Sequence, residues 1–176
     1  MPEAERSGLA VPIAIPTALA RLRDRYDRAA AQGARPHVTV LFPFLPCPEL
    51  DDDVRERLRA IAAGVAPFDV AFRRVRRFDE GVVWIEPAPA EPFQRLTAAV
   101  AAAWPAYPPY EGRFDEVIAH LTVVEADAGT APLEAIEAEA AGLLPFTRRA
   151  DRLELWCQDA AGRWRPRWRL PLGGRP

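Results

Sequence analysis

The chain has 176 residues, 49% hydrophobic and 27% charged, which suits one compact unit built on a single core or on two small lobes. All 23 basic residues are arginine, Ser7 is the only serine and the formal net charge is -2. These facts argue against a phosphate-binding or nucleotidyl-carrying lysine, a serine nucleophile, and coating of nucleic acid by bulk charge.

No apolar stretch approaches the roughly 20 residues of a membrane span. The opening MPEAERSGLAV lacks the charged and greasy regions of a secretory leader. A soluble cytoplasmic monomer is expected, with no membrane and no obligate protein partner.

In chain order, LAVPIAIP reads as a strand, and Thr17 is placed to cap a helix carrying Leu19, Leu22 and Tyr26 that Gly33 ends. HVTVLFPF is the next strand. A helix over 49–63 follows, with Leu50, Val54, Leu58 and Ile61 buried and Asp51 to Asp53 near its positive end. Strands near 67–77 and 82–86 flank a turn at Asp79-Glu80-Gly81.

The order then repeats from the strand VVWIEP. A helix with Phe93, Leu96 and Val100 precedes a strand from about Val117 that carries HLTVV. A helix with Leu133, Ile136 and Leu143 leads to strands at 147–157 and 163–170, around a turn at 159–162. The Pro-rich stretch PAYPPYEGRFDE interrupts the repeat and reads as an ordered loop near a site.

The chain has two histidines, and each opens the same pattern: His37-Val38-Thr39-Val40 and His120-Leu121-Thr122-Val123. With six threonines in 176 residues, chance would place Thr at both second following positions roughly one time in a thousand. Alternation puts His37 and Thr39 on one face, with Val38, Val40 and Phe42 on the other. His120 and Thr122 likewise share a face. An imidazole and a hydroxyl so placed can address different oxygens of one phosphate. Two such halves about a twofold axis would put an acid and a base on either side of phosphorus.

PHVTVLFPF and AHLTVV, with the repeated element order over nearly the whole chain, resemble the two-histidine phosphoesterases, also called the LigT or 2'-5' RNA ligase superfamily. The resemblance implies an α+β fold, bilobal and pseudo-twofold, with antiparallel sheets lining a central cleft and helices outside. One two-lobed domain would span 1–176, with lobes of roughly 1–81 and 82–176 and room for strands to be exchanged between them. It implies catalysis without metal or other cofactor by His37 and His120, with Thr39 and Thr122 on the phosphate oxygens. By analogy His120 would take the proton from water and His37 would supply one, although the residues themselves do not fix the direction.

The function so implied is opening of 2',3'-cyclic phosphates of nucleotides or RNA ends to 2'-phosphates. The alternatives are ATP-independent 2'-5' joining of RNA ends and a non-catalytic module that holds a nucleotide or RNA end. Relatives that process RNA often carry a basic residue after the second motif, whereas this chain continues Val124-Glu125-Ala126-Asp127. Tyr110 and Arg113, from the Pro-rich loop, are candidates to supply a stacking ring and a charge to substrate.

Two histidines without H-x-H, H-E-x-x-H or a cysteine cluster do not make a usual zinc site. Cys47 and Cys157 are expected to be buried free thiols. Trp84, Trp104 and Trp156 read as core. Arg73, Arg74, Arg76 and Arg77 form one basic group, and Arg148, Arg149 and Arg152 another. Arg163, Arg165, Arg167 and Arg169 alternate with Trp164 and Trp168, so a strand would put four guanidinium groups on one face and both indoles on the other. Such a face suits a charged edge strand or a rim that guides phosphate.

Overall fold

The computed structural model describes residues 6–125 and 131–174. Its strands are β1 (Ser7–Pro12), β2 (His37–Leu41), β3 (Phe68–Phe78), β4 (Val82–Ala88), β5 (Leu121–Glu125), β6 (Phe146–Ala150), β7 (Arg152–Gln158) and β8 (Trp164–Pro171). The helices are α1 (Thr17–Tyr26), α2 (Arg28–Ala31), α3 (Asp52–Ala63), α4 (Glu91–Ala103) and α5 (Leu133–Gly142). Among the described residues no helix is long and apolar enough to cross a membrane.

Local chemistry explains most boundaries. Asp51 accepts from the Val54 amide at the start of α3, and Asp52 and Asp53 fill its first turn, where negative charge offsets the helix dipole. Thr17 differs from its expected place: it is the first helical residue, and Pro16 before it makes no side-chain cap. The helical stretch also breaks at Asp27, whose carboxylate caps α2. The strand expected over 147–157 is two strands divided at Asp151, and His120 stands just before β5.

The strands form one antiparallel sheet in the order β6-β3-β4-β5-β2-β1-β7-β8. At its centre β2 and β5 meet through a single pairing, Val38 with Leu121. The run β1-α1-β2-α3 recurs as β4-α4-β5-α5. After each run the chain crosses over: β3 pairs with β4, and β7 pairs with β1. Each four-stranded half of the sheet therefore holds strands from both halves of the sequence.

The core includes Leu19 and Leu22 of α1, Leu58 of α3, Phe93 and Leu96 of α4 and Ile136 of α5, packed with Leu9, Val38, Val40, Leu121 and Val123. Each fully buried large side chain contributes about 1.5–3 kcal/mol. The other face of the central strands carries His37, Thr39 and Thr122, which remain half-exposed.

Four ladders shift register, one of them between Phe72 and Val75 of β3, and the other three redirect side chains near the central strands. Leu9 faces Leu41 while Ala10 faces Thr39, leaving Val40 as an extra residue. Val83 faces Val124 while Trp84 faces Thr122, leaving Val123 extra. Leu155 faces Trp168 while Trp156 faces Pro166, leaving Arg167 extra. One inserted residue reverses the face of everything beyond it.

Phe42 therefore does not share a face with Val38 and Val40 as alternation predicted; it lines a cavity on the cleft side. Trp164 and Trp168 are separated as well, Trp168 against the main core and Trp164 against Ala10, Ala34 and Trp156. The same shift divides the arginines of β8: Arg169 lies opposite Glu154 and Arg165 opposite Cys157, so they do not form one guanidinium face.

Cys47 and Cys157 are joined in a disulfide across 110 residues, which corrects the expectation of free thiols. The cause is topological. Ser7 of β1 pairs with Cys157, and the Ser7 carbonyl also accepts from the Phe44 amide just after β2. β1 thus draws two distant segments to one place, which spacing along the chain does not reveal.

Candidate active site

Each histidine is set by the segment that enters its strand. His37 Nδ1 donates to the Arg35 carbonyl oxygen at 2.7 Å, and His120 Nδ1 donates to the Ile118 carbonyl oxygen at 2.7 Å. A carbonyl oxygen can only accept, so the neutral ring carries its proton on Nδ1 and leaves Nε2 available. The rings are braced edge-on by aromatics, His37 by Trp156 at 4.8 Å and His120 by Phe78 at 5.2 Å and Trp84 at 5.8 Å.

His37, Thr39, His120 and Thr122 all line one cavity of about 370 Å³. The central pairing of Val38 with Leu121 accounts for this, because it sets the two histidine strands side by side. Burial pushes His37 down to about 4, against the bond to the Arg35 carbonyl, and the charges of Arg23 and His120 lower it further. Burial also lowers His120, against its bond to the Ile118 carbonyl. Both shifts favour the uncharged imidazole, whereas an anion bound in the cavity would favour the charged form.

Tyr110 lies in the same cavity. Its backbone is left-handed, with φ 51°, as is that of Glu111 with φ 57°, a conformation costing about 1–2 kcal/mol for an L-residue. The Tyr110 amide donates to the Phe42 carbonyl at 2.7 Å and fastens the loop to the end of β2. Burial pushes the Tyr110 phenol up, and the neighbouring Thr39 side chain acts against that shift. Arg113 is elsewhere: it is exposed, pairs with Glu111 at 3.4 Å, and is not among the cavity residues.

The positive charge at the cavity comes instead from Arg6, Arg23 and Arg28, none of them singled out by the sequence. Arg23 is buried; it pairs with Asp27 at 2.9 Å and donates to the Ala34 carbonyl. Asp27 also accepts from the Glu125 amide at 3.0 Å, which ties α1 to the end of β5. The spacing of Arg23 and Asp27 marks an i,i+4 pair, but nothing in it marks burial. Within the acidic segment after the second motif, the Glu125 carboxylate pairs with Arg28 at 3.3 Å; Ala126 and Asp127 lie outside the described residues.

Trp84, Trp104 and Trp156 are buried as expected, yet Trp156 also lines the cavity, together with Phe42 and Trp164. Its indole Nε1 donates to Glu154 at 2.7 Å, and that buried carboxylate also accepts from Arg35 and, at 2.8 Å, from Arg152. Among the described residues no group of three His, Cys, Asp or Glu could hold a metal ion.

Comparison with curated proteins finds no match. Solved structures do match. E. coli LigT complexed with NADP+ is 18% identical, with 97% of this chain and 99% of that chain covered and a TM-score of 0.55. TT0787 of Thermus thermophilus is 19% identical, with 97% and 100% covered and a TM-score of 0.57. E. coli LigT complexed with 3'-AMP is 17% identical, with 96% and 98% covered and a TM-score of 0.53. At these identities the likeness shows a shared α+β fold. The model of the 2'-5' RNA ligase superfamily matches residues 11–162, a span that includes both histidine motifs. The chain therefore belongs to the 2'-5' RNA ligase superfamily, the two-histidine phosphoesterases.

Proposed function

We propose that the protein is a phosphoesterase that opens 2',3'-cyclic phosphates of nucleotides or RNA ends to 2'-phosphates, using His37 and His120 as acid and base and no metal. The observation that carries this reading is the matched pair of imidazoles in one cavity, each held through Nδ1 with Nε2 available, and each with a threonine two residues on. In the reaction an oxygen of water bonds to phosphorus as the P–O3' bond breaks. One Nε2 takes a proton from that water and the other Nε2 gives a proton to O3', so one water is added in total. Two imidazoles in opposite protonation states suit this exchange.

Thr39 and Thr122 are placed to donate to the non-bridging oxygens, whose charge grows as water attacks. Tyr110, whose phenol neighbours Thr39 in the same cavity, positions that hydroxyl. The nucleotides named with E. coli LigT, NADP+ and 3'-AMP, support a nucleotide as the substrate class. The test is incubation with adenosine 2',3'-cyclic phosphate in excess chelator, with products resolved as 2'- or 3'-phosphate. A 2'-phosphate is expected; no turnover, or turnover abolished by the chelator and restored by one added metal, would defeat the reading.

A further inference from the structure

Both histidines rest on the same two kinds of support. Nδ1 donates to the carbonyl two residues earlier, at Arg35 for His37 and at Ile118 for His120. An indole stands edge-on to each ring, Trp156 at 4.8 Å from His37 and Trp84 at 5.8 Å from His120. At His37 the two supports are joined to one another; at His120 they are separate.

The joint is Glu154. Along β7, Arg152, Glu154 and Trp156 alternate with Leu153 and Leu155, so the two leucines take the core face and the other three the opposite one. Thr39 of β2 faces Ala10 of β1, Ala10 faces Glu154, and Glu154 faces Arg169 of β8. Residues opposite one another in a ladder share a face, so this row puts the buried carboxylate on the cleft side of the sheet. Its two oxygens have separate tasks. Oε1 accepts from Arg152 Nε at 2.8 Å and lies 3.6 Å from Arg169 Nε. Oε2 accepts from both the Arg35 guanidinium and the Trp156 indole Nε1, the latter at 2.7 Å.

Oε2 thus binds the residue whose carbonyl holds Nδ1 and the residue whose ring braces the imidazole. Trp156 is itself packed with Ala10 and Ala34, and the Arg35 guanidinium stands 5.7 Å from an indole centre of Trp156, so carboxylate, guanidinium and indole form one closed set beside His37. His120 has no such link. Ile118 carries no charge, and the Trp84 indole nitrogen has no hydrogen-bond partner among the described residues.

Resting on the phosphoesterase reading above, we infer that Glu154 is a positioning residue for His37: it locks Arg35 to Trp156 and so fixes the plane and the Nδ1–H tautomer of the ring without touching substrate. Hydrogen bonds to a buried carboxylate are charge-assisted, and the low dielectric around them strengthens them. A ring free to turn about its Cβ–Cγ bond would swing Nε2 away from the oxygen it serves, and a misplacement of about 1 Å costs on the order of a hundredfold in rate. Glu154 therefore acts on proton transfer and leaves substrate affinity to the cavity residues.

The test labels histidine with nitrogen-15 and reads both rings by NMR at neutral pH, with His120→Ala to assign them, beside kcat and KM for adenosine 2',3'-cyclic phosphate. Wild-type His37 should show a protonated Nδ1 and a bare Nε2. Glu154→Met keeps the length of the side chain and removes both acceptors. It should mix the two tautomers of His37, leave the His120 signals in place, and lower kcat by on the order of tenfold to a hundredfold with KM within about twofold. Arg35→Ala and Trp156→Phe each cut one bond to Oε2 and should move the His37 signals in the same sense. Arg152→Ala removes a partner of Oε1 alone and should leave those signals and kcat unchanged.

Unchanged His37 signals in Glu154→Met, equal disturbance of both rings, or a change in Arg152→Ala as large as in Glu154→Met would each overturn this inference. Should Glu154→Met fail to fold, Arg35→Ala, at an exposed position, and Trp156→Phe decide, and wild-type signals in both would overturn it. The ring spectra need no turnover. If the wild-type protein opens no cyclic phosphate while Glu154→Met still frees the His37 ring, the reaction fails and the positioning of the ring stands.

Discussion

The His37 half of the cleft and the His120 half share a motif, a ring held through Nδ1 and a bulge at the valine after the threonine, yet their surroundings have diverged. Around His37 stand the buried Arg23–Asp27 pair and an indole tied to buried Glu154, and the Cys47–Cys157 disulfide holds the opposite end of the same half. Around His120 stand Phe78 and Trp84, and the Trp84 indole nitrogen has no hydrogen-bond partner among the described residues. Equal frames with unequal walls teach that the duplicated unit repeats the histidine and threonine pair, while substitutions on its neighbouring strands change what surrounds each pair.

The most severe way to break the comparison is to remove either ring. His37→Ala and His120→Ala should each lower kcat/KM toward adenosine 2',3'-cyclic phosphate by about 10²–10⁴-fold, and the double variant by much less than the product, because the two act as a unit. A substrate with a p-nitrophenolate leaving group then separates them. That group needs no proton, so His37→Ala should regain most of its activity and His120→Ala little. Equal recovery would erase the functional difference between the halves.

The disulfide sharpens the comparison through stability. Replacing Cys47 and Cys157 together by Ala should lower unfolding free energy by about 2–4 kcal/mol, measured by denaturant titration of the oxidised parent and the variant. A change within error would mean that the bond does not restrain the His37 side. The threonines come next. Thr39→Val and Thr122→Val should each reduce kcat by roughly ten- to a hundredfold, the worth of a hydrogen bond to a charged oxygen. Tyr110→Phe should act on Thr39 alone, so its effect should vanish in a Thr39→Val background.

The smallest expected effect concerns pH. His37 is held at about 4 in the folded protein against 6.5 unperturbed, so between those values the unfolded chain binds more protons. Stability should fall as pH drops from 6.5 toward 4, by on the order of 2 kcal/mol, and His37→Asn should flatten that slope. Because burial lowers both histidines, the bell-shaped kcat/KM profile should peak on the acid side of 6.5. A peak well above neutrality would show that the free site does not suppress the charged rings.

Much of this molecule was written locally. The spacing of His37 to Thr39 and of His120 to Thr122 fixes two like half-sites, because side chains two apart on a strand share a face. Apolar periodicity places the helices of both repeats, and the Asp51–Asp53 run marks where α3 begins. Other features depended on partners far along the chain. Tyr110 enters the cavity and Arg113 does not, because the backbone between them turns through left-handed residues and the Tyr110 amide bonds to β2. The cysteines meet because β1 pairs with both β2 and β7.

Single inserted residues in the ladders turn Phe42 and Trp164 into the cleft, against the alternation of their own strands. A pattern along one strand records which residue types alternate there. It holds no record of the partner strand's register, and a bulge is a property of the pair. The two histidine and threonine pairs were thus legible from residues near in sequence, whereas the cavity that they share with Phe42, Trp156 and Trp164 arose only when β1, β2, β5, β7 and β8 came together.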